Sequence, residues 1–264
     1  MSISVNAVER ALDILLCFSP DEPVLSLTRI ADQLQLPKST VHRHLATLEK
    51  KYFIKRNGTT GMYRLGLRLV ELATLVLQDA GFQQWIQPHL EQLSEQCGET
   101  VDLAVMDGTH VTYLQVIESP QRVKIAAAIG QRLPVHCTAS GKAFLAFLPQ
   151  EQVDKILEGK LTRYTKRTMV TPEVLHKDLQ LTRSRGFATS EQEFEEDINA
   201  IAAPVLDGRG HPVAVIAAVG PAYRLAQGQM EAVGRFILSA TQAISREGGL
   251  AALSAFISNS VPTG

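Results

Sequence analysis

The sequence predicts an α+β protein in two parts. A short helical head closes with a β-hairpin, and a larger mixed domain follows on a largely antiparallel sheet. Three observations carry this reading. Apolar residues recur at helical spacing three times before residue 50, then give way to two β-like runs around a glycine-rich turn. Beyond residue 98 the period shifts to alternating or continuous apolar runs separated by turn chemistry. The charge is also divided. A net charge of −1 over 264 residues conceals nine Lys/Arg against six Asp/Glu in residues 1–64, a balance of +3. Residues 65–264 carry seventeen against twenty-one, a balance of −4. A basic head on an acidic body points to a polyanion partner for the head alone.

Composition narrows the class. With 45% apolar and 20% charged residues the chain can bury a core and is not a disordered segment. No apolar run reaches the ~18–20 residues a membrane-spanning helix needs, so no membrane partner is expected. The opening stretch, residues 1–18, does not read as a signal peptide, because Glu9 and Arg10 interrupt its apolar region and no small-residue cleavage site follows. Cys17, Cys97 and Cys137 are odd in number and outside any CxxC, which excludes a disulfide scaffold and a structural zinc site and fits a cytoplasmic location. No cofactor and no metal are expected.

In the head, Val8, Ala11, Leu12, Leu15 and Leu16 mark a first amphipathic helix, which Pro20 and Pro23 end. Ser26 is a good N-cap for a second helix lined by Leu27, Ile30, Ala31 and Leu34. Leu36-Pro37 breaks that pattern in a tight four-residue turn, and a third helix starts at Lys38. Val41, Leu45 and Leu48 form its inward edge; Ser39, Thr40, His42, Arg43, Thr47 and Lys50 face outward. Residues 52–56 and 62–65 read as two strands around Asn57-Gly58-Thr59-Thr60-Gly61. Three helices and a hairpin in this order make a winged helix-turn-helix. Small hydroxyl residues let a helix sit deep in the major groove of double-stranded DNA, and Arg43 can pair with guanine O6 and N7. On this reading Ser39, Thr40, His42 and Arg43 read bases, while Lys38, Lys55, Arg56 and Arg64 mainly hold phosphates. The plain alternative is a three-helix bundle with a solvated third helix.

Leu65 to Ala80 continues a helical pattern with no core of its own, which predicts a linker helix over 65–81 ended by Gly81. This divides the chain into a DNA-binding domain (1–64), the linker (65–81) and a body (82–264). In the body a helix is expected over 82–96, a hairpin over 100–106 and 111–117, and a strand over 123–129. Helices follow at 139–148, 150–157 and 173–185, then strands at 198–206 and 212–219, a long helix over 227–245, and a fraying tail after Gly248.

Residues 7–15 (AVERALDIL), 36–43 (LPKSTVHR) and 63–66 (YRLG) resemble the N-terminal domain of the IclR family of bacterial transcriptional regulators. Residues 134–143 (PVHCTASGKA) and 201–205 (IAAPV) look like signatures of that family's GAF-like effector-binding domain, so the resemblance covers about Val5 to Ser245. His44 departs from it, standing where a second leucine beside Leu45 is expected; it is read as half-buried or as a backbone contact. The resemblance implies a repressor that answers a small organic acid, binds a palindromic operator, and assembles as a homodimer or homotetramer through the body. It also implies an effector pocket. The loop carrying His136, Ala139 and Ser140 forms one wall, with Ile125, Leu133 and the segment 190–200 (Ser190, Glu191, Ala200) opposite and Ala217 and Val219 closing it. Free N–H groups at the helix start near Ala139 would suit a carboxylate. Relatives that bind small oxo-acids are expected to carry an acid at position 190 and a cysteine at 200. Ser190 and Ala200 therefore suggest a roomier, less polar pocket for a ring-bearing acid. The alternative, with Ser190 and Ala200 merely packing and Glu191 or Glu193 taking the polar role, stays open. The acidic run 191–197 is either a solvated loop or a contact with the pocket or the head.

Catalytic motifs fail on their own terms. A P-loop needs Gly at His136 and Ser or Thr at Ala143. A dinucleotide fingerprint starting at Gly208 needs Gly at Val213 and a helix after it, where a strand is expected. His136, Cys137 and Ser140 lack a nucleophile elbow, and capping by Thr138 or Ser140 explains them more simply. The chain is therefore read as no enzyme. The rival readings are an enzyme with an accessory helical domain and a sensor acting only through protein contacts.

Overall fold

In the computed structural model, residues 6–19, 21–77 and 80–247 are described, the side chains of 74–84 excepted. Pro20 and the tail expected to fray lie outside the described residues. The chain divides into two compact units, residues 1–78 and 79–264.

The first unit packs α1 (Asn6–Leu16), α2 (Leu27–Leu34) and α3 (Lys38–Lys50) around Ile14, Ile30, Val41 and Leu45, all fully buried. Ser26 caps α2 by accepting the Arg29 amide at 3.1 Å. Gln35 takes a left-handed conformation (φ 52°) at the end of α2, and Pro37 then starts α3. The turn between the helices is thus three residues long, one shorter than expected. β1 (Ile54–Arg56) and β2 (Tyr63–Leu65) form the hairpin, with Ile54 and Tyr63 buried on its inner face. The Asn57 side chain accepts the amides of Thr59 and Thr60 in the turn. Gly66 is required, because a Cβ there would lie 2.1 Å from the Tyr52 carbonyl oxygen. Leu65 belongs to β2, so the predicted linker helix is shorter: α4 spans Arg68–Leu77. Gly81 lies inside α5 (Ala80–Cys97) rather than ending a helix.

The second unit is a six-stranded antiparallel sheet of order β5-β4-β3-β8-β7-β6. Its strands are β3 (Thr100–Asp107), β4 (His110–Ile117), β5 (Arg132–Pro134), β6 (Ala188–Glu191), β7 (Ile198–Leu206) and β8 (Pro212–Pro221). Period-two alternation sorts each strand's side chains between the two faces. Val101, Leu103, Ile201, Ala203, Ile216 and Ala218 pack under α5 and α9 (Gln227–Arg246). Ala104, Ala202, Val215 and Ala217 face α6 (Ala139–Leu145) and α8 (Pro172–Arg185), with α7 (Gln150–Leu157) beside them. The unit is therefore a sheet between two helical layers, and the α+β expectation holds.

Two strand expectations change. Residues 123–129 form no strand: Thr100 Oγ1 donates to the Ile125 carbonyl and Arg224 to the Val123 carbonyl in place of a ladder, and Ile125 and Ala127 are the half-buried residues of the segment. The edge of β4 is taken instead by 130–134, where Gly130 (φ 83°) turns the chain and the Gly130 amide donates to the Tyr113 carbonyl. β6 was not anticipated; it adds to β7 as an edge strand over only four residues.

Candidate functional site

The head presents one polar surface. On α3, Lys38, Ser39, His42 and Arg43 are exposed and Thr40 is half-buried. None of their side chains makes a hydrogen bond or ion pair among the described residues. Thr47, one turn on, bonds back to the Arg43 carbonyl. His44 is half-buried. On the hairpin, Lys55 and Arg64 are exposed and stand directly opposite in the β1–β2 register. Like charges paired across strands are unfavourable; a phosphate backbone relieves that repulsion. Arg56 lies over the Tyr63 ring at 5.8 Å.

The second unit holds a partly open cavity of about 80 Å³ between the sheet, the start of α6 and the 125–133 segment. Ile125 and Leu133 form one wall; Ala139 and Ser140 form another. Ser190, Ala200, Ala217 and Val219 line the sheet side. Gly141 lets α6 approach, since a Cβ there would lie 2.2 Å from Val135 backbone atoms. Thr138 caps the helix, accepting the Gly141 amide and donating to the Pro134 carbonyl. The Ser190 hydroxyl donates to the Cys137 carbonyl at 3.2 Å.

Two residues of the expected pocket lie outside the lining. The 3₁₀ turn Val135–Cys137 directs His136 to the Thr162 carbonyl at 2.9 Å, and burial lowers its pKa. Glu191 points toward Arg167, 3.9 Å away. Glu193 also leaves the cavity: it is buried and accepts from Lys142 Nζ at 2.6 Å, while Asp178 lies 3.0 Å from the same nitrogen. Burial raises the Glu193 carboxyl although Lys142 opposes the shift. Of the acidic run, Glu195, Glu196 and Asp197 are exposed, and Glu195 reaches the cavity lining.

Asp102, Tyr113 and Phe194, which sequence reasoning passed over, also line the cavity. Asp102 had a signal: in β3 it alternates with Val101 and Leu103, so it falls on the other face, with Ala104. It is 1% exposed, its Oδ1 has no hydrogen-bond partner, and burial pushes its pKa up to about 8. Burial, and then Asp102 nearby, raises the Tyr113 phenol. Burial likewise pushes the Cys137 thiol up to about 12, which makes it a poor nucleophile. Among the described residues no group of three or more His, Cys, Asp and Glu is placed to hold a metal ion. No described helix is long and apolar enough to cross a membrane.

A winged helix with an unpartnered polar recognition face, on a chain whose other unit holds a ligand-sized cavity, defines a ligand-responsive DNA-binding regulator. The family description "IclR helix-turn-helix domain" matches residues 7–58, and "Bacterial transcriptional regulator IclR C-terminal" matches residues 74–246. The chain belongs to the IclR family of bacterial transcriptional regulators. It is 32% identical to the transcriptional repressor IclR of Escherichia coli (strain K12) over 244 residues, 91% of this chain and 89% of that protein. It is 36% identical to the transcriptional regulator XynR of the same organism over 216 residues, 81% and 84% of the two chains. A solved IclR homologue from Microbacterium hydrocarbonoxydans, complexed with 4-hydroxybenzoate, superposes with a TM-score of 0.74 at 27% identity, covering 91% of this chain and 99% of that one. These relatives are regulators, and the chain is a regulator rather than an enzyme. Its helix-turn-helix domain binds DNA.

Proposed function

We propose that the chain is a cytoplasmic repressor of genes for the catabolism of a small organic acid. Residues 1–64 bind a palindromic operator, 65–81 link, and 82–264 bind the effector and assemble the oligomer. The observation that carries this is the α3 surface with its five unpartnered polar side chains, together with the like-charged Lys55–Arg64 pair on the hairpin. Ser39, Thr40, His42 and Arg43 read bases; Lys38, Lys55, Arg56 and Arg64 hold phosphates. One winged head reads few base pairs, so a homodimer or homotetramer is expected. Val8, Leu12 and Leu16, exposed at i, i+4 and i+8 along α1, would let two heads pair in addition to the contact made by the body.

The effector sits in the 80 Å³ cavity, against Ile125, Leu133, Ala139, Ser140, Ser190, Ala200, Ala217 and Val219. That volume suits an acid of a few carbons; a dry cavity of ~150 Å³ is what admits benzene. A ring-bearing acid is the second reading, favoured by Ala200 and Ser190 and by the 4-hydroxybenzoate bound in the Microbacterium relative. It requires the 123–129 wall, which has no strand partner, to move outward. His136 and Glu191 have structural roles here.

The operator is sought in promoters of neighbouring, divergently transcribed genes. Arg43→Ala should lower operator affinity by about 1–3 kcal/mol and relax the preference at one base pair in a gel-shift titration. Unchanged operator affinity contradicts the assignment of α3.

A further inference from the structure

Among the described residues, no Lys, Arg or His side chain lines the effector cavity. Its ionisable lining groups are Asp102 from β3, Tyr113 from β4 and Glu195 on the loop after β6. Glu195 is exposed to solvent; Asp102 is 1% exposed, makes no side-chain hydrogen bond, and leaves Oδ1 without a partner. The elements packed against it from α6, β7 and β8 contribute Ser140, Ala200 and Ala217, none of them titratable. An anionic ligand in this cavity meets neutral donors only. An ionised Asp102 would oppose it in a medium with little water to screen the repulsion. A carboxylic acid there supplies an O–H instead.

We propose that Asp102 is the specificity-determining group that grips the effector's carboxylate, donating a carboxylic-acid O–H to it, so that effector binding is linked to a proton on Asp102. The inference rests on the reading of this cavity as the effector site and names the chemistry of its recognition. Burial already favours the neutral acid in the empty cavity, with a pKa of about 8. Below that value the donor is in place. Above it, binding a carboxylate requires taking up a proton, and affinity falls with pH.

The test is isothermal titration of the full-length protein with pyruvate and with benzoate, neither of which titrates between about pH 6 and 9. The expected result is binding of at least one probe that is about tenfold weaker at pH 9 than at pH 7. In Asp102→Asn, which keeps the shape and an N–H donor, binding should persist with that dependence flattened; its melting transition at pH 6 checks that it is folded. Ala200→Leu, which fills the cavity, should abolish binding at every pH. If a probe binds, Ala200→Leu blocks it, and the wild type is pH-independent or binds more tightly as pH rises, the Asp102 inference is overturned while the cavity reading stands. A wild-type pH profile in Asp102→Asn overturns it equally. If neither probe binds, or binding survives Ala200→Leu, the cavity reading itself fails and the inference with it.

Discussion

Lys142 is among the largest fully buried side chains of the described residues, and its ammonium sits between Glu193 and Asp178. Removing one partner of a buried ion cluster leaves charge without compensation, at a cost of about 3–5 kcal/mol. Lys142→Met should therefore destabilise the second unit by that amount in urea denaturation; a loss under about 1 kcal/mol would show the cluster to be unimportant. Asp102 gives a different signature. Its pKa is about 8 in the folded protein against an ordinary 3.8, so the folded state holds more protons than the unfolded state between those values. Stability should fall as pH rises through that window, and Asp102→Asn should lack this slope when both proteins are denatured near pH 5 and near pH 9. These residues were unequally legible. Lys142 stands out in the sequence only as the lysine of a failed P-loop, and Glu193 as one acid in a run of five. Their meeting joins positions 51 apart, a separation that no local pattern encodes. Asp102 was legible in principle, as a lone acid on one face of an apolar strand.

At the scale of elements, what local chemistry decides was readable. The Ser26 cap, the Pro37 break and the Asn57–Gly61 turn each specify their own few residues, so the helix-turn-helix and wing follow from sequence within about two residues. What depends on a neighbouring strand was not. Val123 to Ile129 has a β-like alternation, but the alternation records which side chains face inward rather than whether a ladder partner is present. β6 is too short to announce itself and exists because β7 offers an edge. Two predictions belong here. Gly141→Ala should destabilise the protein by about 1–3 kcal/mol despite alanine's better helix propensity, since the added methyl meets Val135 backbone that cannot give way. Thermal denaturation measures it, and a gain in stability would contradict the packing. On the wing, Lys55→Ala with Arg64→Ala should weaken binding to all DNA sequences alike and reduce the salt-dependence slope by about one for each phosphate no longer neutralised. A selective loss at one base pair would instead make the wing a base reader.

For the whole molecule, the divided charge and the change of period mark two parts along the sequence, and the chain does form two units. Effector identity was less legible because a pocket is assembled from six separate stretches of chain. Its volume depends on how closely these stretches approach one another, as α6 approaches the Val135 backbone at Gly141. Regulation requires only that the effector bind one state of the molecule better than another, and the resulting coupling is reciprocal. The most direct test is fluorescence anisotropy of a labelled operator fragment titrated with the protein, with and without a cavity-binding carboxylate. The account predicts tight, salt-sensitive and sequence-selective binding that the acid shifts by about 5–150-fold, with no shift in Ala200→Leu. Binding no tighter than to unrelated DNA of equal length, or operator affinity untouched by an acid that occupies the cavity, would contradict it.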